Sequence, residues 1–173
     1  MSYLLYPLLV ISIVGITGCY RVKTYRGDGR IVAIRVGNWF INCTRYTVLL
    51  GPINLAKKNA RVFRLQGLPS DEMNLSLEVG LADRNTRIES EALVKFELVD
   101  EAGKIILQVE SRFDQAAWSI GGLKKYGYNA SLYLGKAFKP DKHSKYTLAV
   151  EVVEPDKKAI AFSPELAVWS YCP

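Results

Sequence analysis

The chain has 173 residues, 49% hydrophobic and 23% charged, with a formal net charge of +6. That balance excludes global disorder and suits a single globular domain with a real core. The charge is uneven. Tyr20 to Pro69 holds ten Lys/Arg and one acid, Asp28, whereas Ser70 to Ile120 holds five basic and eleven acidic residues.

From the start of the chain, Tyr3 to Thr17 is an apolar run of 15 residues. It is short for a bilayer span, which needs about 20, and fits the apolar region of a signal peptide. The run ends at Ile16-Thr17-Gly18-Cys19, which resembles the lipobox of bacterial lipoproteins: an aliphatic residue, a small or β-branched one, Gly or Ala, then an obligatory Cys. The resemblance covers the leader and Cys19 only. It implies cleavage after residue 18, acylation of Cys19, and a lipid-anchored protein of the cell envelope. Tyr20, rather than Asp, after the Cys implies the periplasmic face of the outer membrane. The lipid bilayer is then one partner. Arg21, Lys23 and Arg26 become candidate membrane-proximal residues, attracted to anionic head groups by about 1 kcal/mol each when held near the surface. Export also argues against a nucleic-acid partner for the basic segment. The expected organisation is a signal peptide over 1–18, a lipidated tether over 19–30 and one domain over 31–173.

With Cys19 acylated, Cys43 and Cys172 remain as an even pair in an oxidising compartment, the arithmetic of a disulfide. A bridge closing so long a loop contributes about 4–5 kcal/mol in the chain-entropy model.

The rest of the chain has period two. Val32, Ile34 and Val36 alternate in the first run, Arg45 to Leu50 forms a second, and Ala60 to Gln66 a third. Leu75, Leu77, Val79 and Leu81 mark a half-buried strand. Ala92 to Leu98 and Ile105 to Val109, joined by Asp100-Glu101-Ala102-Gly103, predict a β-hairpin. Alternation returns at Ala130–Leu134, at Tyr146–Val152 and in the final run Leu166–Tyr171. Short helical turns are expected near Ile53–Ala60 and Asp114–Ser119. The predicted fold class is all-β: an antiparallel sandwich of about eight or nine strands, immunoglobulin-like or jelly-roll-like. The segment Lys142 to Val152 resembles the late strand of an immunoglobulin-like sandwich, in which a Tyr near the strand start pins the corner through its hydroxyl.

No catalytic motif emerges. His143, the single His, stands in a polar turn without a nucleophile to serve. The acid pairs Asp71-Glu72, Glu89/Glu91 and Asp100-Glu101 fall in turns. Neither a metal nor a cofactor is expected. The loop Trp118 to Asn129 combines glycines, lysines and aromatics, so Trp118, Lys124, Lys125, Tyr126 and Tyr128 are candidates for a partner-binding surface, or for packing inward along a long connection. The resulting expectation is a non-enzymatic, membrane-anchored binding module for a protein or envelope component, an immunity or assembly accessory factor being of this style. The alternative is an envelope hydrolase using acidic residues in a cleft.

Overall fold

The computed structural model describes residues 25–37, 42–81, 83–85, 88, 90–112, 118–123, 127–141, 143–157 and 164–170. Ten strands are present: β1 (Arg30–Gly37), β2 (Asn42–Pro52), β3 (Asn59–Gln66), β4 (Met73–Leu81), β5 (Leu93–Asp100), β6 (Ile105–Arg112), β7 (Trp118–Leu123), β8 (Gly127–Phe138), β9 (Lys145–Glu154) and β10 (Glu165–Ser170). They form a six-stranded sheet, ordered β1-β2-β10-β4-β8-β7, and a four-stranded sheet, ordered β3-β9-β5-β6. Every pairing is antiparallel.

The order has a simple origin. β2 pairs with β10, β3 with β9, β4 with β8 and β5 with β6, so four pairs nest one inside the next along the chain. That is one long antiparallel ribbon rolled into two sheets, a jelly roll. Of the two sandwich arrangements left open by the sequence, the strand order is this one; β1 and β7 extend the larger sheet at its two edges.

Between the sheets lies a single apolar core. Alternate residues of β4, β5 and β9 supply it: Leu75, Leu77, Val79; Val94, Phe96, Leu98; Leu148, Val150, Val152. Deeply buried Leu, Val and Phe at every second position are the reason these segments are strands, because period two puts one whole set on one face. In β1 Ile31 and Ala33 are buried and Val32 is half-buried. Ile31, Val32 and Ala33 are apolar at successive positions, so the pattern alone did not choose a face at the start of the strand.

The predicted hairpin is β5–β6. Asp100 ends β5 and its Oδ1 accepts the backbone N–H groups of Ala102 and Lys104, each at 2.9 Å. Gly103 completes the turn with φ of 80°. Tyr146 pins its corner as the local resemblance implied: the Asp141 N–H donates to its hydroxyl at 2.8 Å. Residues 53–58 form a turn, and no α-helix occurs among the described residues.

The segment before β1 is part of the folded unit. The Arg26 N–H donates to the Gln66 carbonyl at 3.0 Å, the Asp28 N–H to the Arg64 carbonyl at 2.7 Å, and Asp28 Oδ2 accepts the Arg64 N–H at 2.7 Å. These bonds cover the free edge of β3. The Tyr25 hydroxyl donates to the Asp28 carbonyl at 2.5 Å. Burial, and secondarily the Asp28 carboxylate, raise its pKa well above the ordinary tyrosine value, so it remains a protonated donor.

Candidate functional site

The loop predicted over Trp118–Asn129 is mostly strand. β7 and β8 form a hairpin in which Trp118 stands opposite Leu132 and Leu123 opposite Gly127. Tyr128 is half-buried and packs against the core, as does Ile120. Lys124, Lys125 and Tyr126 lie outside the described residues, as do Cys19, Arg21, Lys23 and Cys172. Arg26 is exposed beside β3, and Cys43 lies on β2. His143 is exposed, its N–H donating to Asp141 Oδ1 at 3.2 Å. The acid pairs do not converge. Asp71, Glu72 and Glu101 are exposed, Asp100 is occupied in its turn, Glu91 is exposed with its N–H on Asp156 Oδ2, and Glu89 lies outside the described residues.

A different set of residues meets on the outer face of the six-stranded sheet. The pairing of β10 with β4 puts Glu165 opposite Glu78, Ala167 opposite Ser76 and Trp169 opposite Asn74. β8 continues two of these rows, with Ser131 opposite Glu78 and Tyr133 opposite Ser76. On the other side Thr47 of β2 stands opposite Trp169. Facing residues in antiparallel strands share one side of the sheet, so these side chains lie together.

Small residues occupy the middle of this face and large ones the rim. Ala167 and Ser76 are wholly buried although they point away from the core, which means that their neighbours close over them. Trp169 is 8% exposed and Tyr133 51%. Their rings meet at a 5.7 Å centroid separation with a 52° tilt, and the Arg45 guanidinium sits 4.5 Å over the indole. Aromatic and cation–π contacts of this kind each contribute on the order of 0.5–1.5 kcal/mol. The register between β2 and β10 slips at Leu166/Ala167, a bulge that adds twist beside the depression. The result is a cavity of about 460 Å³ lined by Arg45, Thr47, Glu78, Asn129, Glu165 and Trp169, among others.

Polar pairing in this cavity is incomplete. Glu78 is half-buried and accepts two hydroxyls, from Ser76 at 2.8 Å and from Ser131 at 2.6 Å. Among the described residues, neither Glu78 nor Glu165 has a lysine or arginine ion-pair partner. Like charges directly opposite on adjacent strands are destabilising. The Nε1 of Trp169 is buried without a hydrogen-bond acceptor among the described residues. An unpaired buried donor costs about 1–3 kcal/mol.

Three sequence signals could have pointed here. The final run Glu165-Leu-Ala-Val-Trp-Ser is apolar at both parities, and β10 is buried on both faces. Glu78 is the single charge among the outward residues of β4, which are Asn74, Ser76, Glu78 and Gly80. Tyr133 is a large aromatic at an outward position of β8. None of these signals says that the three strands are neighbours.

Among the described residues no group of three or more His, Cys, Asp or Glu side chains is placed to hold a metal ion. No helix among them is long and apolar enough to cross a membrane.

Comparison with known proteins adds little to this geometry. No family model and no curated protein matches the sequence. Among solved structures, the enzymatically active domain of tailspike protein 4 of bacteriophage CBA120 aligns over 86% of this chain, at 9% identity and a TM-score of 0.29. The chain spans about a fifth of that structure, 19%, and a similarity this low carries no argument about activity.

Proposed function

We propose that this chain is a lipid-anchored protein of the bacterial cell envelope whose jelly-roll domain acts as a non-enzymatic binding module for a protein or envelope component. The anchor rests on Ile16-Thr17-Gly18-Cys19. Cys19 stands six residues before Tyr25, the first described residue. Six residues reach at most about 20 Å, so an acylated Cys19 would keep Tyr25 within that distance of the bilayer. The outer membrane is the proposed site. Cys43 and Cys172 are the proposed disulfide: Cys43 is not a free thiol, and β10 runs antiparallel to β2 toward the Cys43 end of that strand.

The observation that carries the binding reading is the outer face of the six-stranded sheet, where a cavity is lined by Trp169 and by two carboxylates without cationic partners. The hydrolase reading draws on one observation, the direct opposition of Glu78 and Glu165. Against it, both oxygens of Glu78 already accept serine hydroxyls.

Labelling cells with a radioactive or clickable fatty acid tests the anchor: the wild-type chain takes up label and Cys19→Ser does not. Label retained in Cys19→Ser refutes the lipobox. Peptide mapping without reductant should recover Cys43 joined to Cys172, and two alkylated thiols would remove the bridge. Affinity capture from solubilised envelopes tests the module. Retention of an envelope component by wild type but not by Glu165→Gln/Tyr133→Ala supports it, and equal retention by both moves the function away from this face.

A further inference from the structure

The β3 edge of the smaller sheet gathers positive charge that its own neighbours do not neutralise. The strap of residues 25–28 runs antiparallel to β3, bonded from the Arg26 N–H to the Gln66 carbonyl and from the Asp28 N–H to the Arg64 carbonyl. Arg26 on the strap, Arg30 at the start of β1, and Arg61 and Arg64 on β3 are all exposed along this edge. Among the described residues the guanidinium groups of Arg26, Arg30 and Arg64 have neither a hydrogen bond nor an ion pair. Arg61 donates to the Pro52 carbonyl at 2.8 Å and rests 4.7 Å over the Phe63 ring, which holds its charge at the surface. The acid of the strap, Asp28, is taken up by the Arg64 backbone N–H. On β9 Glu151 stands opposite Ala60 but faces Lys95 on its other side. Val62 shares its face of β3 with Arg64 and is 62% exposed, the most exposed large hydrophobic residue described.

We infer that this edge is a docking surface for an anionic phospholipid bilayer, with Arg26, Arg30, Arg61 and Arg64 meeting lipid phosphates and Val62 entering the head-group layer. The inference rests on the lipid-anchor reading and deepens it, since it gives the folded domain a second membrane contact of its own. Guanidinium groups pair with phosphate in a fork that suits lipid head groups, and their aliphatic stems tolerate the boundary between water and acyl chain. An apolar side chain standing out among unpaired cations fits a surface that is anionic outside and apolar beneath. Position argues for a bilayer over other polyanions. The six residues from Cys19 to Tyr25 reach at most about 20 Å, and Tyr25 opens the strap. The parts of the domain nearest an acylated Cys19 are therefore the strap and the strand it is bonded to. β3 has eight residues and is about 25 Å long, so tether and edge are of similar reach. The opposite edge of the same sheet differs in charge. There Ile105 of β6 is exposed, but it follows the acidic turn Asp100-Glu101.

The test places the full chain on vesicles of phosphatidylglycerol or of phosphatidylcholine, with photoreactive p-benzoylphenylalanine in place of Val62 or of Ile105. After irradiation, lipid adducts are measured by mass spectrometry. The probe at Val62 should form an adduct on phosphatidylglycerol. That adduct should fall about tenfold or more on phosphatidylcholine, in about 1 M salt, and in Arg26→Glu/Arg64→Glu. The probe at Ile105 should form none. Absence of an adduct at Val62 on phosphatidylglycerol overturns the inference, as does equal labelling on the two lipids or equal labelling at Val62 and Ile105. Loss of the Val62 adduct to duplex DNA at matched phosphate overturns it in favour of a nucleic-acid surface. Flotation separates this outcome from that of the anchor. A chain that floats with phosphatidylcholine yet gives no Val62 adduct on phosphatidylglycerol keeps its anchor and loses the docking surface. A chain that floats only with phosphatidylglycerol, and is labelled there at Val62, keeps the surface and loses the anchor.

Discussion

The two sheets carry outer-face cavities of the same volume, about 460 Å³, and opposite chemistry. On the smaller sheet charges alternate with their opposites. Lys95 faces Glu110 on one side and Glu151 on the other, and its ammonium lies 3.5 Å from Glu110 with both side chains 51% exposed. Such a pair is worth about 0–1 kcal/mol and is what a solvated strand face requires. On the larger sheet, big side chains close over small ones. A donor is left without an acceptor, and two carboxylates face each other. Volume does not distinguish the two faces. The groups left unpaired do.

One large effect should come from joining the two sheets badly. Gly135 in β8 has φ of 72°, and a Cβ there would lie 2.5 Å from Val109 Cγ2 and 2.7 Å from Leu107 Cδ1 of β6. A left-handed backbone and overpacking act together, so Gly135→Ala should lose about 2–4 kcal/mol in urea unfolding. A loss below about 1 kcal/mol would show that the sheets give way easily and that the two faces need not share one rigid frame.

The contrast itself is sharpened at Trp169. Trp169→Ala should cost about 3–5 kcal/mol, against about 0–1 for Lys95→Ala on the other face. Trp169→Phe keeps an aromatic ring and discards the orphan donor, so it should recover at least half of the alanine loss. If phenylalanine is as costly as alanine, Nε1 has an acceptor and the contrast between the faces fails.

The smallest effects should have opposite signs. Glu165→Gln relieves repulsion from Glu78 and should gain about 0.2–1 kcal/mol at neutral pH. Glu110→Gln breaks an exposed attraction and should lose no more than about 1 kcal/mol. Raising the salt to about 1 M should bring both toward zero. Matching signs in thermal denaturation would show that the two carboxylates experience the same environment.

Much of the fold was legible because alternation is local. Leu75 to Leu81, Val94 to Leu98 and Tyr146 to Val152 reveal their buried faces without reference to anything distant. The Asp100–Gly103 turn is equally local, since Asp100 bonds residues two and four ahead. Misreadings arose where local cues were ambiguous or misleading. β1 opens with Ile31, Val32 and Ala33, apolar at successive positions. The glycines of β7 suggested a loop, but Gly121 and Gly122 pair with Asn129 and Tyr128 in a hairpin. The aromatics there drew attention away from Trp169, whose run looked like an ordinary core strand.

By itself the sequence determined that the chain would fold into strands, where most of them would lie, which hairpin would close locally, and that an apolar run ends in Ile16-Thr17-Gly18-Cys19. Tertiary structure alone decided that β10 would lie between β2 and β4. Period-two alternation determines which way a side chain points but not which strand lies beside it, because strand neighbours are set by pairing across long stretches of chain. Glu78 and Glu165 become a pair, and Arg45, Tyr133 and Trp169 a cluster, only once that long ribbon is rolled.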